Sequence, residues 1–420
     1  MKIEDALSKL YSLHQFGVKL GLENIVNLLD YIGNPHKKLK CFHIAGSNGK
    51  GSTACFIASI LTEMGYKTGL YTSPHFVRFN ERIQINGAFI DDEYIAEFVN
   101  EVDEYIDKYK PTFFELTTAL AFKYFAGENV HYAVIETGLG GRLDATNVIY
   151  PLASVITSIS REHTNVLTDD IKTIAYEKAG IIKENSTALW GILAQEASER
   201  IQQIAGERNC RAFPLKENII EFEDHICLQL EQFKYYIYRT SLTGKIQIYN
   251  AALAALTVDK ILGIDDCTVL NNGIKNIVLN TNINGRYEIF SAKPKIIFDS
   301  AHNPEALEVF LKEFEKEPGI YINREVIYAA MKDKNIKEMI LNLSEHFNRI
   351  LVTDIPTERG ARKEEIEEIA KKMNITVNKL DSPADYIFDF KERDANHCLV
   401  VLGSIYLLGE IKKVIHNKKT

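Results

Sequence analysis

Apolar runs that alternate with helical patterns fill most of the first 290 residues. Lys40–Ala45 has the composition of a buried strand, and a glycine-rich turn after it opens a helix with apolar residues at helical spacing. Further strand-like runs lie at Thr68–Thr72, Tyr132–Glu136 and Ala153–Thr157, and Asp92–Tyr105 has a helical pattern. Strands that alternate with helices predict an α/β fold with a mostly parallel sheet.

The pattern changes twice farther along the chain. Residues 221–240 predict two or three antiparallel strands without helices between them. After residue 291 a second α/β series begins, with helices at Pro304–Glu317 and Lys363–Met373 and strands at Lys295–Asp299, Glu325–Ala329, Arg349–Thr353 and Cys398–Leu402. Because 420 residues exceed what one core usually serves, we predict two domains, 1–291 and a smaller one at 292–420.

Composition and charge narrow the function classes. The chain is 46% hydrophobic and 25% charged, and no apolar run reaches the roughly 20 residues of a membrane-spanning helix. Its polar N-terminus differs from a signal peptide, so we expect a cytoplasmic protein without a membrane partner. The net charge is −8 and no dense basic patch is present, which argues against a nucleic-acid partner. The six cysteines form no C-x-x-C pair, which argues against a structural zinc or a disulfide framework.

A glycine-rich loop between the first strand and its helix predicts a phosphate site. In this position backbone N–H groups and a helix N-terminus both face an anion. Lys50 would reach the β- and γ-phosphates, and the hydroxyl of Ser52 or Thr53 would lie near the metal and the phosphates. The residues expected to contact the nucleotide are Gly46, Ser47, Asn48, Gly49, Lys50, Gly51 and Ser52.

Glu136 is the first candidate metal ligand. Phosphoryl transfer needs a divalent cation, and magnesium prefers carboxylate and water oxygens. Glu136 ends an apolar strand and precedes the turn Thr137–Gly141, where glycines allow a substrate to approach the backbone.

Seven motifs together carry a resemblance to a known family. Residues 46–52 resemble the G-T-N-G-K-G-S loop of the folylpolyglutamate/dihydrofolate synthases, which are members of the Mur ligase superfamily. Residues 136–147 (ETGLGGRLDATN) resemble the family's E-V-G-L-G-G-R-L-D-A-T-N segment almost letter for letter. Further matches, in family order, are YTSPHFVRFNER at 71–82, EKAGIIK at 177–183, DSAHNP at 299–304, MKDK at 331–334 and GSIYL at 403–407.

The resemblance implies an ATP-dependent ligase that adds L-glutamate to dihydropteroate, tetrahydrofolate or both through an acyl phosphate. It implies a P-loop-containing central ATP-binding domain over 1–291 and a Rossmann-like glutamate-ligase domain over 292–420. ATP and magnesium are the expected cofactors, with two metal sites possible. Magnesium ligands would be Ser73, Glu136, His163 and Lys178, with Lys178 carried as a carbamate; Lys50, Lys178 and His163 would be the catalytic residues.

The remaining contacts also follow from the resemblance. Asn250, Arg286 and Asp299 would contact ATP, and the pterin acid would bind at Thr112, Phe113, Phe114, Glu115, Leu143, Asp144 and Ala145. The aromatic pair could stack on a flat heterocycle, although the start of a core-facing helix would look the same. The family further implies a monomer.

Two other functions compete with this hypothesis. A Mur-type ligase that acts on cell-wall nucleotide precursors would carry G-K-T, whereas Gly51 follows Lys50 here. A P-loop regulatory switch would bind nucleotide without the metal set around Glu136, and its turnover would not need glutamate. The motifs leave open which pterin acid is accepted, how many glutamates are added and which one-carbon form is preferred.

Overall fold

The computed structural model describes residues 1–13, 21–160, 170–316 and 321–418, and the chain divides into two compact units. The first comprises Met1–Pro74, Phe79–Ser241 and Gln247–Ile283, and the second comprises His75–Arg78, Leu242–Ile246 and Asn284–Thr420. The structure thus differs from the predicted boundary, because residues 284–291 lie with the second unit. The reason is strand pairing: Glu288–Ala292 forms an antiparallel hairpin with Lys295–Phe298.

The strands of the first unit, among its described residues, form two sheets. Eight strands make a mixed sheet that is mostly parallel, and three make a small antiparallel sheet, as the pattern at 221–240 predicted. The strands are β1 (Cys41–Ala45), β2 (Thr68–Tyr71), β3 (Ile83–Ile85), β4 (Ala88–Phe89), β5 (Tyr132–Glu136), β6 (Ala153–Ile156), β7 (Thr187–Trp190), β8 (Arg211–Pro214), β9 (Ile219–Glu221), β10 (Ile226–Gln229) and β11 (Lys234–Ile237).

Helices cover the larger sheet. The predicted helix at 92–105 is two helices, which meet at Val102. The helices are α1 (Ile3–Ser12), α2 (Glu23–Tyr31), α3 (Lys50–Glu63), α4 (Asp92–Glu101), α5 (Asp103–Tyr109), α6 (Phe113–Gly127), α7 (Ile171–Ala179), α8 (Gln195–Glu207), α9 (Lys245–Leu262), α10 (Cys267–Lys275) and α11 (Ile277–Thr281), with short 3₁₀ turns at Pro35–Lys38, Phe79–Arg82 and Leu215–Glu217.

The strand order of the larger sheet determines where its loops meet. The order is β4-β3-β2-β5-β1-β6-β7-β8. The six strands β2, β5, β1, β6, β7 and β8 run parallel to one another, whereas β3 is antiparallel to both of its neighbours. Ile44 of β1 pairs with Glu136 of β5, and Ala45 of β1 pairs with Ile156 of β6. The segments that follow β2, β5, β1 and β6 therefore leave the sheet side by side at one edge, which is where ligands bind in open α/β folds.

Helix α3 begins at the phosphate loop and is buried on almost every side. Its residues from Ser52 to Leu61 are buried, because the sheet lies on one side and α10 and α11 lie on the other. Gly273 of α10 makes the close approach possible, since a Cβ there would come within 2.7 Å of the Ile60 Cα. The Ser59 hydroxyl donates to the Gly273 carbonyl at 2.6 Å. The apolar residues at helical spacing predicted one buried face of α3, and its contacts with α10 and α11 bury further faces.

The second unit is a smaller α/β layer structure. Its sheet has the order β12-β13-β17-β14-β15-β16, in which β12 alone, among the described strands, is antiparallel to its neighbour. The elements are β12 (Glu288–Ala292), β13 (Lys295–Phe298), α12 (Pro304–Phe314), β14 (Asn323–Tyr328), α13 (Ile336–His346), β15 (Arg349–Val352), α14 (Lys363–Lys372), β16 (Asn378–Lys379), α15 (Pro383–Phe390), β17 (His397–Leu402) and α16 (Ile405–Asn417).

Both faces of this second sheet are buried. Successive residues of β17 alternate between the two cores: Val400 packs with α12, α13 and α14, whereas Val401 packs with α15 and α16. A strand buried on both faces needs apolar residues at every position, which explains the unbroken run CLVVL at 398–402.

Candidate active site

The phosphate loop occupies the turn between β1 and α3, and a glycine at its start permits a close neighbour. Gly46 has φ +152°, and a Cβ there would come within 2.0 Å of the Thr157 hydroxyl. The segment after β6 braces the loop: Ser47 N donates to Ser158 O at 2.9 Å, and Asn48 N donates to the Ser158 hydroxyl at 2.8 Å. The loop is therefore held in shape by its neighbour in the sheet.

Lys50 folds back over this loop. Its Nζ donates to the carbonyls of Gly46 at 2.8 Å and Ser47 at 3.0 Å. The ammonium therefore lies above the turn whose helix N-terminus favours anions. Thr53, which was expected near the phosphates, is fully buried, and its hydroxyl donates to Asn250 Oδ1 at 3.4 Å. Ser52 is buried as well.

Asn250 of α9 lies against the other end of the loop. Gly49 has φ +84°, and a Cβ there would come within 2.7 Å of Asn250 Oδ1. The buried amide of Asn250 also donates from Nδ2 to Gln247 Oε1 at 3.1 Å. The structure thus brings this predicted nucleotide residue to the loop although two hundred residues of sequence separate them.

Glu136 and Ser73 lie together at the carboxyl edge of the larger sheet. The backbone N–H of Ser73 donates to Glu136 Oε2 at 2.8 Å, and Glu136 is 4% exposed. Two of the four predicted metal ligands are thus neighbours in the fold, and a carboxylate and a hydroxyl are both oxygen donors of the kind that magnesium takes. His163 lies outside the described residues. Within the described ranges, His, Cys, Asp and Glu side chains form no group of three or more suited to a metal ion.

Lys178 is buried near the end of α7. Its exposure is only 1%, so it is not the solvated helix lysine that its sequence position alone would favour. Its backbone lies against the turn after Glu136: a Cβ on Gly141 would come within 2.7 Å of the Lys178 carbonyl oxygen. The segments that carry Glu136 and Lys178 therefore touch.

Asp144 organises the glycine-rich turn. Its Oδ2 accepts from the N–H groups of Gly138 at 2.9 Å and Leu139 at 2.8 Å, and its Oδ1 accepts from the hydroxyl of Thr146 at 2.5 Å. Burial raises the pKa of Asp144, and these hydrogen bonds act in the opposite direction. Both carboxylate oxygens of Asp144 accept hydrogen bonds from the turn itself, so the role that the structure shows for this residue is structural.

A buried histidine extends this network. His43 of β1 lies 2.8 Å from the Thr146 hydroxyl through Nε2. Because that hydroxyl donates to Asp144, the histidine must donate from Nε2. Burial, together with the charge of Lys183, lowers the pKa of His43 to about 3, which keeps the ring neutral. The two other residues of this turn that were predicted to contact the pterin differ in burial. Ala145 is buried in the core, whereas Leu143 is half-buried.

The predicted pterin segment at 112–115 forms the start of α6. Thr112 and Glu115 make a capping box: Thr112 N donates to Glu115 Oε2 at 2.6 Å, and Glu115 N donates to Thr112 Oγ1 at 3.2 Å. Helix capping is a common use of this residue pair. Glu115 therefore has a role in the fold before any ligand is considered.

The two phenylalanines of this segment point to different places. Phe113 is 6% exposed and belongs to the core, where its ring stacks on Tyr11 with 5.9 Å between centroids. Phe114 is half-buried and faces the glycine-rich turn, where a Cβ on Gly138 would come within 2.5 Å of its ring. Only Phe114 is thus placed beside the turn that ends in Asp144.

Arg286 and Asp299 belong to the second unit, where the charge of Arg286 acts on the Asp299 carboxylate. Asp299 follows β13, and its two oxygens accept from the N–H groups of Tyr287 and Ala301, each at 2.7 Å. Burial raises the pKa of Asp299, while these bonds and the positive charge of Arg286 lower it. The preceding Gly285 has φ +65° and lies against the ring of Phe76, so only glycine fits there.

The sequence analysis missed three residues that shape the site. Thr157 and Ser158 brace the phosphate loop, and the buried Asn147 joins the glycine-rich turn to the end of α7. Polar residues at the end of the predicted strand at 153–157 and directly after it were the available signal for the first two. Asn147 lies inside a recognised motif, but its spacing does not reveal its partners.

Comparison with known proteins places this geometry in a family. The Mur ligase middle domain matches residues 44–258, and the Mur ligase glutamate ligase domain matches residues 285–405. The dihydrofolate synthase/folylpolyglutamate synthase of Bacillus subtilis is 35% identical over 98% of each chain.

Solved structures agree with this result. Escherichia coli FolC in complex with DHPP and ADP superposes with a TM-score of 0.87 at 28% identity, over 100% of this chain and 99% of that one. The bifunctional enzyme from Yersinia pestis, complexed with AMPPNP and a manganese ion, has the same fold, with a TM-score of 0.84 at 24% identity over 99% and 98% of the two chains.

The fold and the phosphate site define an ATP-dependent ligase of the Mur type. Within that class, the chain belongs to the dihydrofolate synthase/folylpolyglutamate synthase family and is an ATP-dependent glutamate ligase of folate metabolism. The family, the fold class and the ligase activity predicted from the sequence are confirmed. Across the part of the chain that the structure covers, no helix is both long and apolar enough to cross a membrane.

Proposed function

We propose that this ligase activates the carboxylate of dihydropteroate, tetrahydrofolate or both with ATP and joins it to the amino group of L-glutamate. One observation supports this proposal most directly. The phosphate loop, with Lys50 above it, follows β1. Glu136 ends the adjacent strand β5, and Ser73, which contacts Glu136, follows the next strand, β2, so all of them lie at the same edge of the larger sheet. A nucleotide phosphate and a metal-binding carboxylate are what a carboxylate-activating site must hold together.

The metal set is part of the proposal. The residues present fit magnesium, because Glu136 is a buried carboxylate beside Ser73, and Lys178 is a buried lysine next to the same turn. We assign Ser73, Glu136, His163 and Lys178 as the ligands, with one or two ions. Magnesium there would neutralise the oxygens of the transferring phosphate.

Lys178 would serve as a carbamate. The ammonium first loses a proton, and the neutral amine then adds to carbon dioxide. An N–C bond forms, one C=O double bond of carbon dioxide becomes a single bond and a second proton is released, so a cationic side chain becomes an anion. A carbamate oxygen can bind a metal ion, whereas an ammonium cannot. Carbon-13 NMR of enzyme equilibrated with labelled bicarbonate would show a carbamate carbon, which must be absent from Lys178→Met.

The chemistry proceeds in two steps. The acid's carboxylate oxygen attacks the γ-phosphorus of ATP, and the bond from this phosphorus to the bridging oxygen breaks. ADP departs, and the acid is now an acyl phosphate. The amino group of glutamate then attacks the acyl carbon, phosphate leaves and the amine loses a proton. Lys50 and the backbone N–H groups of the loop would hold the phosphates through both steps, so positioning and charge supply most of the rate.

Contacts beyond the loop remain assigned by the resemblance. Asn250, which touches the loop, and the Arg286–Asp299 pair of the second unit are proposed ATP contacts. Phe114 is the aromatic residue that we favour for the pterin ring, since Phe113 packs in the core. Leu143, Asp144 and Glu115 would border that ring through the turn and the helix start that they shape. A monomer is proposed, and light scattering would test it.

Glutamate-dependent ADP release tests the proposal. Purified protein with ATP, magnesium and L-glutamate should release ADP when dihydropteroate or tetrahydrofolate is added, and the acid that works identifies the activity. Omission of glutamate should lower the release to background. If neither acid stimulates release but a cell-wall nucleotide precursor does, the proposed acid substrates are wrong.

A further inference from the structure

The turn after Glu136 and the end of α7 are joined by more contacts than a surface turn needs. Arg142 N donates to the Glu177 carbonyl at 2.7 Å, and its guanidinium donates from Nη2 and Nε to Glu177 Oε1 at 2.9 and 3.1 Å. Two hydrogen bonds from one planar group to one carboxylate fix orientation as well as distance. This pair links the residue before Lys178 to the glycine-rich turn.

Asn147 adds a buried link at the same junction. Its Nδ2 donates to the carbonyl of Arg142 at 2.9 Å and to that of Gly180 at 3.2 Å. One amide thus bridges the turn and the residue that follows α7. The main-chain carbonyl of Asn147 accepts a further hydrogen bond from Lys183 Nζ at 2.9 Å. Asn147 is 4% exposed, so solvent does not replace these bonds easily.

Two glycines allow the segments to meet backbone to backbone. A Cβ on Gly141 would come within 2.7 Å of the carbonyl oxygens of Glu177 and Lys178. A Cβ on Gly180 would come within 2.3 Å of the Arg142 Cβ. Neither neighbour can move without moving its segment, so a side chain at either glycine would force the turn and the helix end apart.

We infer that Arg142, Glu177 and Asn147 are positioning residues that hold the Lys178 segment against the Glu136 turn and so set the separation of these two metal ligands. The inference rests on the proposed role of Lys178 in the metal site. None of the three needs to touch substrate or metal. Residues that orient metal ligands from outside typically change metal affinity or activity about 10- to 100-fold when they are replaced.

Variants of the Arg142–Glu177 pair give the sharpest test, because these side chains are 40% and 17% exposed and their loss should leave the fold intact. We expect Arg142→Gln and Glu177→Gln to lower kcat about tenfold and to weaken binding of Mn²⁺ alone, measured by electron paramagnetic resonance, by a similar factor. The double variant should lose no more than either single one. Arg142→Lys should be intermediate, since it keeps the charge and loses the fork.

A matched ion pair away from this junction supplies the control. Lys123 and Glu101 pair at exposures of 28% and 48%, so Lys123→Gln and Glu101→Gln should match the thermal shift of the test variants with unchanged kcat and Mn²⁺ affinity. Asn147→Ser offers a second test at the buried link, with the fraction folded measured first. A merely structural role would lower stability and leave the Mn²⁺ affinity of folded protein as in the wild type, and that result would overturn the inference.

Lys178→Met separates the two levels of the proposal. If it keeps wild-type kcat and Mn²⁺ affinity, the proposed metal role of Lys178 fails, and the positioning role fails with it. If Lys178→Met loses both properties while Arg142→Gln and Glu177→Gln lose neither, the metal role stands and only the positioning inference is wrong.

Discussion

Gly49→Ala would measure how closely the phosphate loop packs against α9. Gly49 has φ +84°, and the added Cβ would come within 2.7 Å of Asn250 Oδ1. Two costs therefore add together. The left-handed backbone costs an alanine about 1–2 kcal/mol. Displacing the buried Asn250 amide, which accepts from Thr53 and donates to Gln247, should cost about 1–3 kcal/mol more.

The chain offers a control with the same backbone and no neighbour. Gly65, just beyond α3, has φ +83°, and a Cβ there would have nothing within 4 Å. Gly65→Ala should therefore show the backbone cost alone, and the difference between the two variants isolates the Asn250 contact. In an Asn250→Ala background, Gly49→Ala should cost no more than Gly65→Ala, because the contacted oxygen is gone.

Urea unfolding followed by tryptophan fluorescence is the assay. The chain has a single tryptophan, Trp190, which is buried on β7, so its emission reports the unit that holds the loop. The KM for ATP should rise in Gly49→Ala and stay unchanged in Gly65→Ala. Equal losses of unfolding free energy in the two variants would refute the packing argument, as would a Gly49→Ala cost that persists without Asn250.

Three further predictions follow from the site. Lys50→Met should lower glutamate-dependent ADP release at least about 100-fold with little change in the urea midpoint, since the hydrogen bonds of this lysine to described residues go to loop carbonyls; near-wild-type turnover would remove Lys50 from the mechanism. Phe113→Ala should cost about 3–5 kcal/mol of unfolding free energy as a core truncation, whereas Phe114→Ala should cost less and raise the KM for the pterin acid; the reverse pattern in these two assays would contradict the assignment. Burial lowers the pKa of Lys183 from 10.5 to about 8, so between pH 8 and 10.5 the unfolded chain binds more protons than the folded chain. The free energy of unfolding should therefore rise with pH in that window, compared with the Lys183→Met variant. Parallel curves of unfolding free energy against pH for the two proteins would contradict the shift.

Local sequence predicted most of the larger framework. The alternation of strand and helix patterns indicated α/β layers, because hydrophobic period follows directly from backbone geometry. The phosphate loop could be predicted from its glycines and lysine, since its chemistry depends on residues that are adjacent in the chain. Glu136 was identified in the same way, from its position at a strand end.

Contacts between distant segments decided the rest. Phe113 and Phe114 are indistinguishable in sequence, yet the turn of α6 directs one ring into the core and the other towards Gly138. Residues 284–291 join the second unit because β12 pairs with β13 and because Ser300 N donates to the Gly285 carbonyl. Lys178 has the sequence context of a solvated lysine, yet it is buried in the structure, where the turn after β5 packs on the end of α7.

The sequence by itself thus determined the class of fold, the phosphate loop and the family. The tertiary structure decided which side chains of the motifs face the site and which support it. The physical reason is that a motif specifies residue types and short-range geometry, whereas burial and hydrogen-bond partners depend on segments brought together by folding. Asn147 shows the difference: its place in the motif was evident, but the two carbonyls that it joins belong to segments more than thirty residues apart.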